Sequence, residues 1–158
     1  MTPAIDLVRR HLVAHIIHEY QHDPASSAYG REAIEKLVVC QHRVFKTLVV
    51  DLGKRRLAVA IIPALSKLSL KQTAKHFASK KVIMANASDV QRSTGYVLGG
   101  VSPLGQKRLL PTLLDQSAAQ FDTIYVSAGR RGLEIELSSN DLVLLSQGKL
   151  ADIAETHS

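Results

Sequence analysis

His18, Glu19 and His22 have the H-E-x-x-H spacing, in which two histidines one helical turn apart bind zinc and the glutamate activates water. Whether they could do so depends on the backbone beneath them. Ile5, Val8, Leu12, Ile16 and Tyr20 are spaced to permit one long helix from Pro3 to His22, with Glu32 or Glu35 in reach as a third ligand. Val13 to Tyr20 is equally readable as a strand rich in Ile and Val, ended by Asp23 and Pro24. On a strand, residues four apart share a face but stand roughly 13 Å apart, too far to hold one metal.

A second candidate is the run from Gln91 to Lys107, QRSTGYVLGGVSPLGQK. Gly95, Gly99, Gly100 and Gly105, with Pro103 and several small hydroxyl residues, argue a loop whose backbone approaches something closely. Gly100 to Gly105 has the G-x-x-x-x-G spacing of a phosphate loop, yet Gln106, Lys107 and Arg108 stand where Lys and Ser or Thr are needed, and Pro111 interrupts the following helix. Cys40 is the only cysteine, which excludes an internal disulfide or a cysteine-based zinc cluster; its setting, LVVCQHRVF, reads as a small buried hydrophobe. Lys46 is the one cation between Val44 and Asp51 in an otherwise apolar run, either a strand lysine turned to solvent or a charge placed for use.

The elements that would position these residues follow from periodicity and capping signals. Strands are expected at Val44 to Asp51, Leu57 to Ile62, Thr123 to Ser127 and Leu133 to Leu137. They pair as two hairpins, one turning through Asp51, Leu52, Gly53 and Lys54, the other through Gly129 to Gly132. Helices are expected at the N-terminus, with Thr2 as cap and Pro3 in the first turn, and over Arg31 to Val38, Ser69 to Phe77 and Ser88 to Arg92. A last helix starts after Ser138 and stops at Gly148. The sum is an α/β fold: a single domain over residues 1–158, with a mixed, mainly antiparallel sheet flanked by helices.

The chain has 158 residues, enough for one real core, and no apolar stretch approaches the roughly 20 residues needed to span a bilayer. With no signal-peptide pattern at the start, the expected location is the cytoplasm, with no membrane partner. Twenty Lys and Arg against fourteen Asp and Glu give a net charge of +6. The excess clusters at Lys54-Arg55-Arg56, Lys80-Lys81, Lys107-Arg108 and Arg130-Arg131, which suits a polyanion but also suits solvated turn tips.

Several of these segments, in order, resemble the YbaK family of bacterial aminoacyl-tRNA deacylases. The resemblance runs from the opening MTPA through Tyr20-Gln21-His22-Asp23-Pro24, Phe45-Lys46-Thr47-Leu48, QRSTGY, GGVSPLGQK and TIYVSAGRRGLEIEL to Ala151-Asp152-Ile153-Ala154. It implies a fold like the editing insertion of bacterial prolyl-tRNA synthetase, acting in trans on mischarged Cys-tRNA(Pro), with Cys-tRNA(Cys) as a second candidate substrate, prolyl-tRNA synthetase as a candidate partner and no cofactor or metal. It also implies that the thiol of the bound cysteine attacks its own ester, releasing tRNA and a cyclic thiolactone. A thiol with a pKa near 8.5 is nucleophilic enough for this when folded onto the carbonyl.

By the same resemblance Lys46 is the signature lysine, expected to hold the tRNA 3′ end. Tyr20 and Tyr29 are pocket aromatics, and Thr47 follows the lysine in the same signature. Gly99 and Gly100 form a loop that lets backbone groups reach the aminoacyl moiety, with Ser127 and Glu134 on the strands opposite. Tyr29 stands where Phe is usual and Glu134 where Asp is usual. Each change alters fit by about 1 to 3 kcal/mol, so the strictness of cysteine preference hangs on them. Glu19 is not part of the family feature, which leaves the H-E-x-x-H zinc hydrolase as the weaker alternative. A tRNA-end or synthetase-binding module without turnover is the stronger one.

Overall fold

The computed structural model describes residues 1–26, 29–37 and 39–155, with Tyr29 described in its backbone only. The elements in order are α1 (Pro3–Arg10), β1 (Ile16–Glu19), α2 (Tyr29–Leu37), β2 (Phe45–Asp51), β3 (Leu57–Pro63), α3 (Leu70–His76), β4 (Ile83–Met84) and α4 (Ala87–Thr94). Then come β5 (Thr112–Asp115), β6 (Ile124–Arg130), β7 (Leu133–Leu137), α5 (Ser139–Ser146) and β8 (Lys149–Ala151). The expected end of α2 at Val38 lies outside the described residues.

Local signals explain most boundaries. The Thr2, Ser69 and Ser138 side chains accept from the backbone N–H of Ile5, Gln72 and Asp141, capping α1, α3 and α5. Asn86 does the same for α4, so Gln91 to Thr94 are helical and the loop reading holds only from Gly95 onward. Gln147, at φ 55°, ends α5 one residue before the expected glycine. Between Pro3 and His22 the chain is not one helix: α1 stops at Arg10, Leu12 takes φ 56°, and residues 16–19 form a strand.

Pairing is mixed and mainly antiparallel, distributed over two sheets. One has the order β1-β7-β6, the other β4-β2-β3-β5-β8, with β3-β5 and β5-β8 parallel. Both expected hairpins are present as antiparallel pairs, β2-β3 and β6-β7, although the first turns through Gly53 to Arg56, two residues later than expected. A parallel bridge between Val44 and Tyr125 ties the sheets together.

The main core lies between the sheets. Leu57, Val59 and Ile61 of β3 face Val126 of β6 and Leu133, Ile135 and Leu137 of β7. The alternate residues Ala60 and Ile62 pack into a second cluster with Leu113 and Ile153, so β3 is buried on both faces and reads as an unbroken apolar run. The other face of β7 carries Glu134 and Glu136, level with Ser127 and Tyr125 of β6. Part of that face is roofed by α2, whose Ala33, Ile34 and Leu37 pack with Tyr20 and Tyr125. Among the described residues no helix is long and apolar enough to cross a membrane.

Candidate active site

β4 pairs with β2 only at Val50 and Asp51, and Ala85 adds one bond from its N–H to the Val49 carbonyl. Toward its start β2 therefore has a bare edge, and there a cleft of about 440 Å³ opens. β2 supplies Lys46 and Thr47, the β6-β7 pair supplies Ser127 and Glu134, and Tyr20 closes in from the end of β1. The opposite wall is Leu98, Gly99 and Val101 from the glycine-rich segment.

Tyr20 is held by its backbone N–H, which donates to the Gly132 carbonyl at 2.9 Å. Its hydroxyl is pushed up to about 12, first by burial and then by the nearby Glu134 charge, so it stays a neutral donor. Lys46 is half-buried and lowered by desolvation alone; among the described residues no carboxylate pairs with it. Glu134 is 7% exposed, and burial alone pushes its carboxyl up to about 8. At neutral pH it is mostly protonated and can donate as well as accept. The Thr47 hydroxyl is buried with no hydrogen-bond partner among the described residues, while Ser127 accepts from the Gly129 N–H at 3.1 Å.

The two glycines of the expected loop do different jobs. Gly99 has φ 86° inside the turn closed by the Gly100 N–H on the Val97 carbonyl, a conformation that disfavours side chains, and it lines the cleft. Gly100 does not line it. A Cβ there would stand 3.1 Å from the Arg130 Cα, so this glycine lets the loop pack onto the β6-β7 turn. Arg131 fastens the same contact by donating from Nη2 to the Leu98 carbonyl at 3.0 Å. Gly105 packs against Pro3, and Ser102 and Leu104 are buried, so Gly100 to Gly105 is not an exposed anion cradle.

Tyr29 begins α2 next to Gly30, which lines the cleft; its side chain lies outside the described residues. Arg31, Arg130 and Arg131 border the cleft too, and the expected site lacked them. The Arg130-Arg131 pair was visible as a charge cluster, whereas nothing in the sequence marked Arg31 above other helix cations. The apolar lining from Leu65 and Met84 was also not legible, because Leu65 lies in a turn and Met84 in a two-residue strand.

The H-E-x-x-H residues are divided among other duties. His18 bonds Glu136 at 2.9 Å from within β1, and His22 bonds Glu32 at 2.5 Å, fastening the segment after β1 to α2. Among the described residues no group of three or more His, Cys, Asp or Glu is placed to hold a metal. Cys40 is exposed rather than buried and does not border the cleft.

Comparisons with known proteins converge on this architecture. Residues 22–145 match the model of the aminoacyl-tRNA editing domain. A protein of Enterococcus faecalis, provisionally named Cys-tRNA(Pro)/Cys-tRNA(Cys) deacylase EbsC, is 39% identical over 153 residues, covering 96% of this chain and 92% of that one. An uncharacterized Bacillus subtilis protein, YwhH, is 28% identical over 79% of each chain. In fold, the chain superposes with TM-score 0.81 on a crystal structure provisionally described as a trans-editing enzyme for prolyl-tRNA synthetase, at 21% identity over 99% of both chains.

Proposed function

The chain belongs to the aminoacyl-tRNA editing domain family, and from that premise we propose that it clears Cys-tRNA(Pro) in trans, in the cytoplasm, behind prolyl-tRNA synthetase. The observation that carries this reading is the composition of the cleft. It holds a desolvated lysine and a neutral carboxyl, but no hydroxyl or thiol paired with a base among its described lining residues. Such a site suits a substrate that brings its own nucleophile.

In the proposed reaction the aminoacyl end lies between Lys46 and the loop at Gly99. The cysteine sulfur attacks the ester carbonyl carbon, a C–S bond forms, and the bond to the ribose 3′ oxygen breaks. The thiol proton ends on that oxygen, so the products are free tRNA and a four-membered thiolactone that water later opens. Lys46 has no carboxylate partner among the described residues and so serves as the anchor for the negatively charged 3′ end. Tyr20 and Thr47 present hydroxyls, and neutral Glu134 binds a polar group of the amino acid without adding charge to the cleft. Tyr29 and Ser127 are assigned as further substrate contacts, and Gly99, backed by Gly100, admits the substrate close to the backbone.

The experiment is a release assay on proline tRNA charged in turn with Cys, Ala, Ser and Pro. Cys is expected to leave fastest and Ser to be spared, because a serine hydroxyl stays protonated and Glu134, the one carboxyl among the described lining residues, is itself mostly protonated at neutral pH. Equal release of Cys and Ser would show that the protein activates water, and no release from any species would leave only a binding module.

A further inference from the structure

We propose that the tip of the β2-β3 hairpin, carrying Lys54, Arg55 and Arg56 beside Lys80 and Lys81, binds the phosphates of the duplex stem behind the aminoacyl end. The proposal rests on the reading of the cleft as an aminoacyl-tRNA site and names where the body of that RNA lies.

The two basic clusters are far apart in sequence, and one side chain brings them together. Ser79 donates from its hydroxyl to the Leu52 carbonyl at 3.0 Å, and the same hydroxyl lies 3.0 Å from the Lys81 carbonyl. Lys80 and Lys81 are thereby docked against the hairpin tip. All five cations are exposed, and none pairs with a carboxylate among the described residues. Arg56 holds its guanidinium over the turn, donating to the Gly53 and Leu52 carbonyls at 3.4 Å. Five like charges at one tip repel each other unless a polyanion joins them.

The turn itself is costly for its sequence. Arg56 N–H closes it on the Gly53 carbonyl at 3.1 Å, with Lys54 at φ 52° and Arg55 at φ 59°. Positive φ at both central positions is the geometry that Asn-Gly fills without strain, yet two long cations stand there.

Position relative to the cleft favours RNA over other polyanions. Lys81 lies three residues before Met84, which borders the cleft, so at most roughly 11 Å of chain separates their Cα atoms. The tip thus continues the edge on which the cleft opens. Lys107 and Arg108 are fixed elsewhere, their N–H groups bonded to the Thr94 and Ser93 carbonyls at the end of α4.

The test is binding of uncharged tRNA across a salt series by two double variants, Lys54→Asn with Arg55→Gly, and Lys80→Gln with Lys81→Gln. Each is expected to weaken binding about tenfold or more at low salt and to reduce the log-log salt slope by about 2. The first should also raise Tm by about 2–4 °C, since it relieves the turn, so its loss of binding cannot come from misfolding. Release of cysteine from a cysteinyl CCA trinucleotide, which has no stem, should be unchanged in both. Wild-type affinity and slope in either variant would overturn the proposal, as would an equal loss on the trinucleotide. Binding of phosphatidylserine vesicles through the tip, with tRNA binding unaffected by its loss, would assign it to a membrane instead. Because the binding arm uses uncharged tRNA, its outcome is independent of whether the cleft turns over; only the trinucleotide arm requires turnover.

Discussion

Glu134 and Glu136 stand two residues apart on one face of β7, and their surroundings are opposite. Glu136 accepts from Thr123 at 2.5 Å, from Arg43 at 3.2 Å and from His18 at 2.9 Å, and these partners hold its carboxyl below the ordinary range despite burial. Arg43 also lies over the Tyr125 ring, 5.0 Å from its centroid. Glu134 has no such partner among the described residues, and burial drives it up to about 8. Lys46, on β2 in the same cleft, is likewise desolvated, with no compensating charge among the described residues. A fold that, among its described residues, satisfies one carboxylate fully and leaves its neighbour bare has uncompensated polar groups where a ligand can complete them.

The comparison sets groups that hold the fold against groups proposed to serve the substrate, and substitutions can break it. The largest effect is expected from Lys46→Ala, which should lower turnover by roughly 10² or more through lost positioning. Its Tm should stay near wild type, because no ion pair among the described residues is lost with it. Lys46→Arg should restore turnover only in part, since a planar fork places its charge differently. Steady-state release from Cys-tRNA(Pro) alongside a melting curve reads both arms.

Glu136→Ala should do the converse. It leaves Arg43, His18 and Thr123 without their shared acceptor and is expected to cost about 1–3 kcal/mol of stability by denaturant melts, with turnover near wild type. A variant that melts normally and fails in release would move Glu136 into the site.

The smallest effect is a pH dependence. Glu134 has a folded value of about 8, above the ordinary 4.5, so the folded protein keeps a proton that the unfolded chain releases. Its contribution is fully present below the ordinary value and is lost as pH rises through about 8. Glu136 and Glu32 are shifted down and act in the other sense, losing their contribution as pH falls below the ordinary carboxylate range. Glu134→Gln should therefore flatten the decline of Tm between about pH 5 and pH 9 and leave the acid limb intact. An unchanged alkaline slope would show that Glu134 is not the buried acid responsible.

Much of this arrangement was legible in the sequence, and the boundary has physical causes. Leu133 to Leu137 alternates cleanly because one face meets the core, so its limits were readable to the residue. Lys46 announced itself as the lone cation of an apolar strand. The short strands β4, β5 and β8 did not, since pieces of two to four residues carry no period and are fixed by partners far along the chain. Tyr96 sits in a segment that reads as an open loop, yet it is buried, with its hydroxyl donating to the Leu104 carbonyl at 2.6 Å. Gly100 was recognisable as a close-approach glycine, and the neighbour that a Cβ there would meet is the Arg130 backbone, which only the folded chain reveals. Glu134 was visible as an acid on a strand; its burial is a property of packing alone.

The central claim is that the cleft positions a substrate thiol rather than supplying a nucleophile. It is tested most directly by proline tRNA charged with cysteine and compared with the same tRNA whose cysteine has been S-methylated. Both species should compete for binding, but only the free thiol should be released, with thiolactone as its first product. Release of S-methylcysteine at the rate of cysteine would contradict the account and place the attacking group on the protein or on a water that it activates.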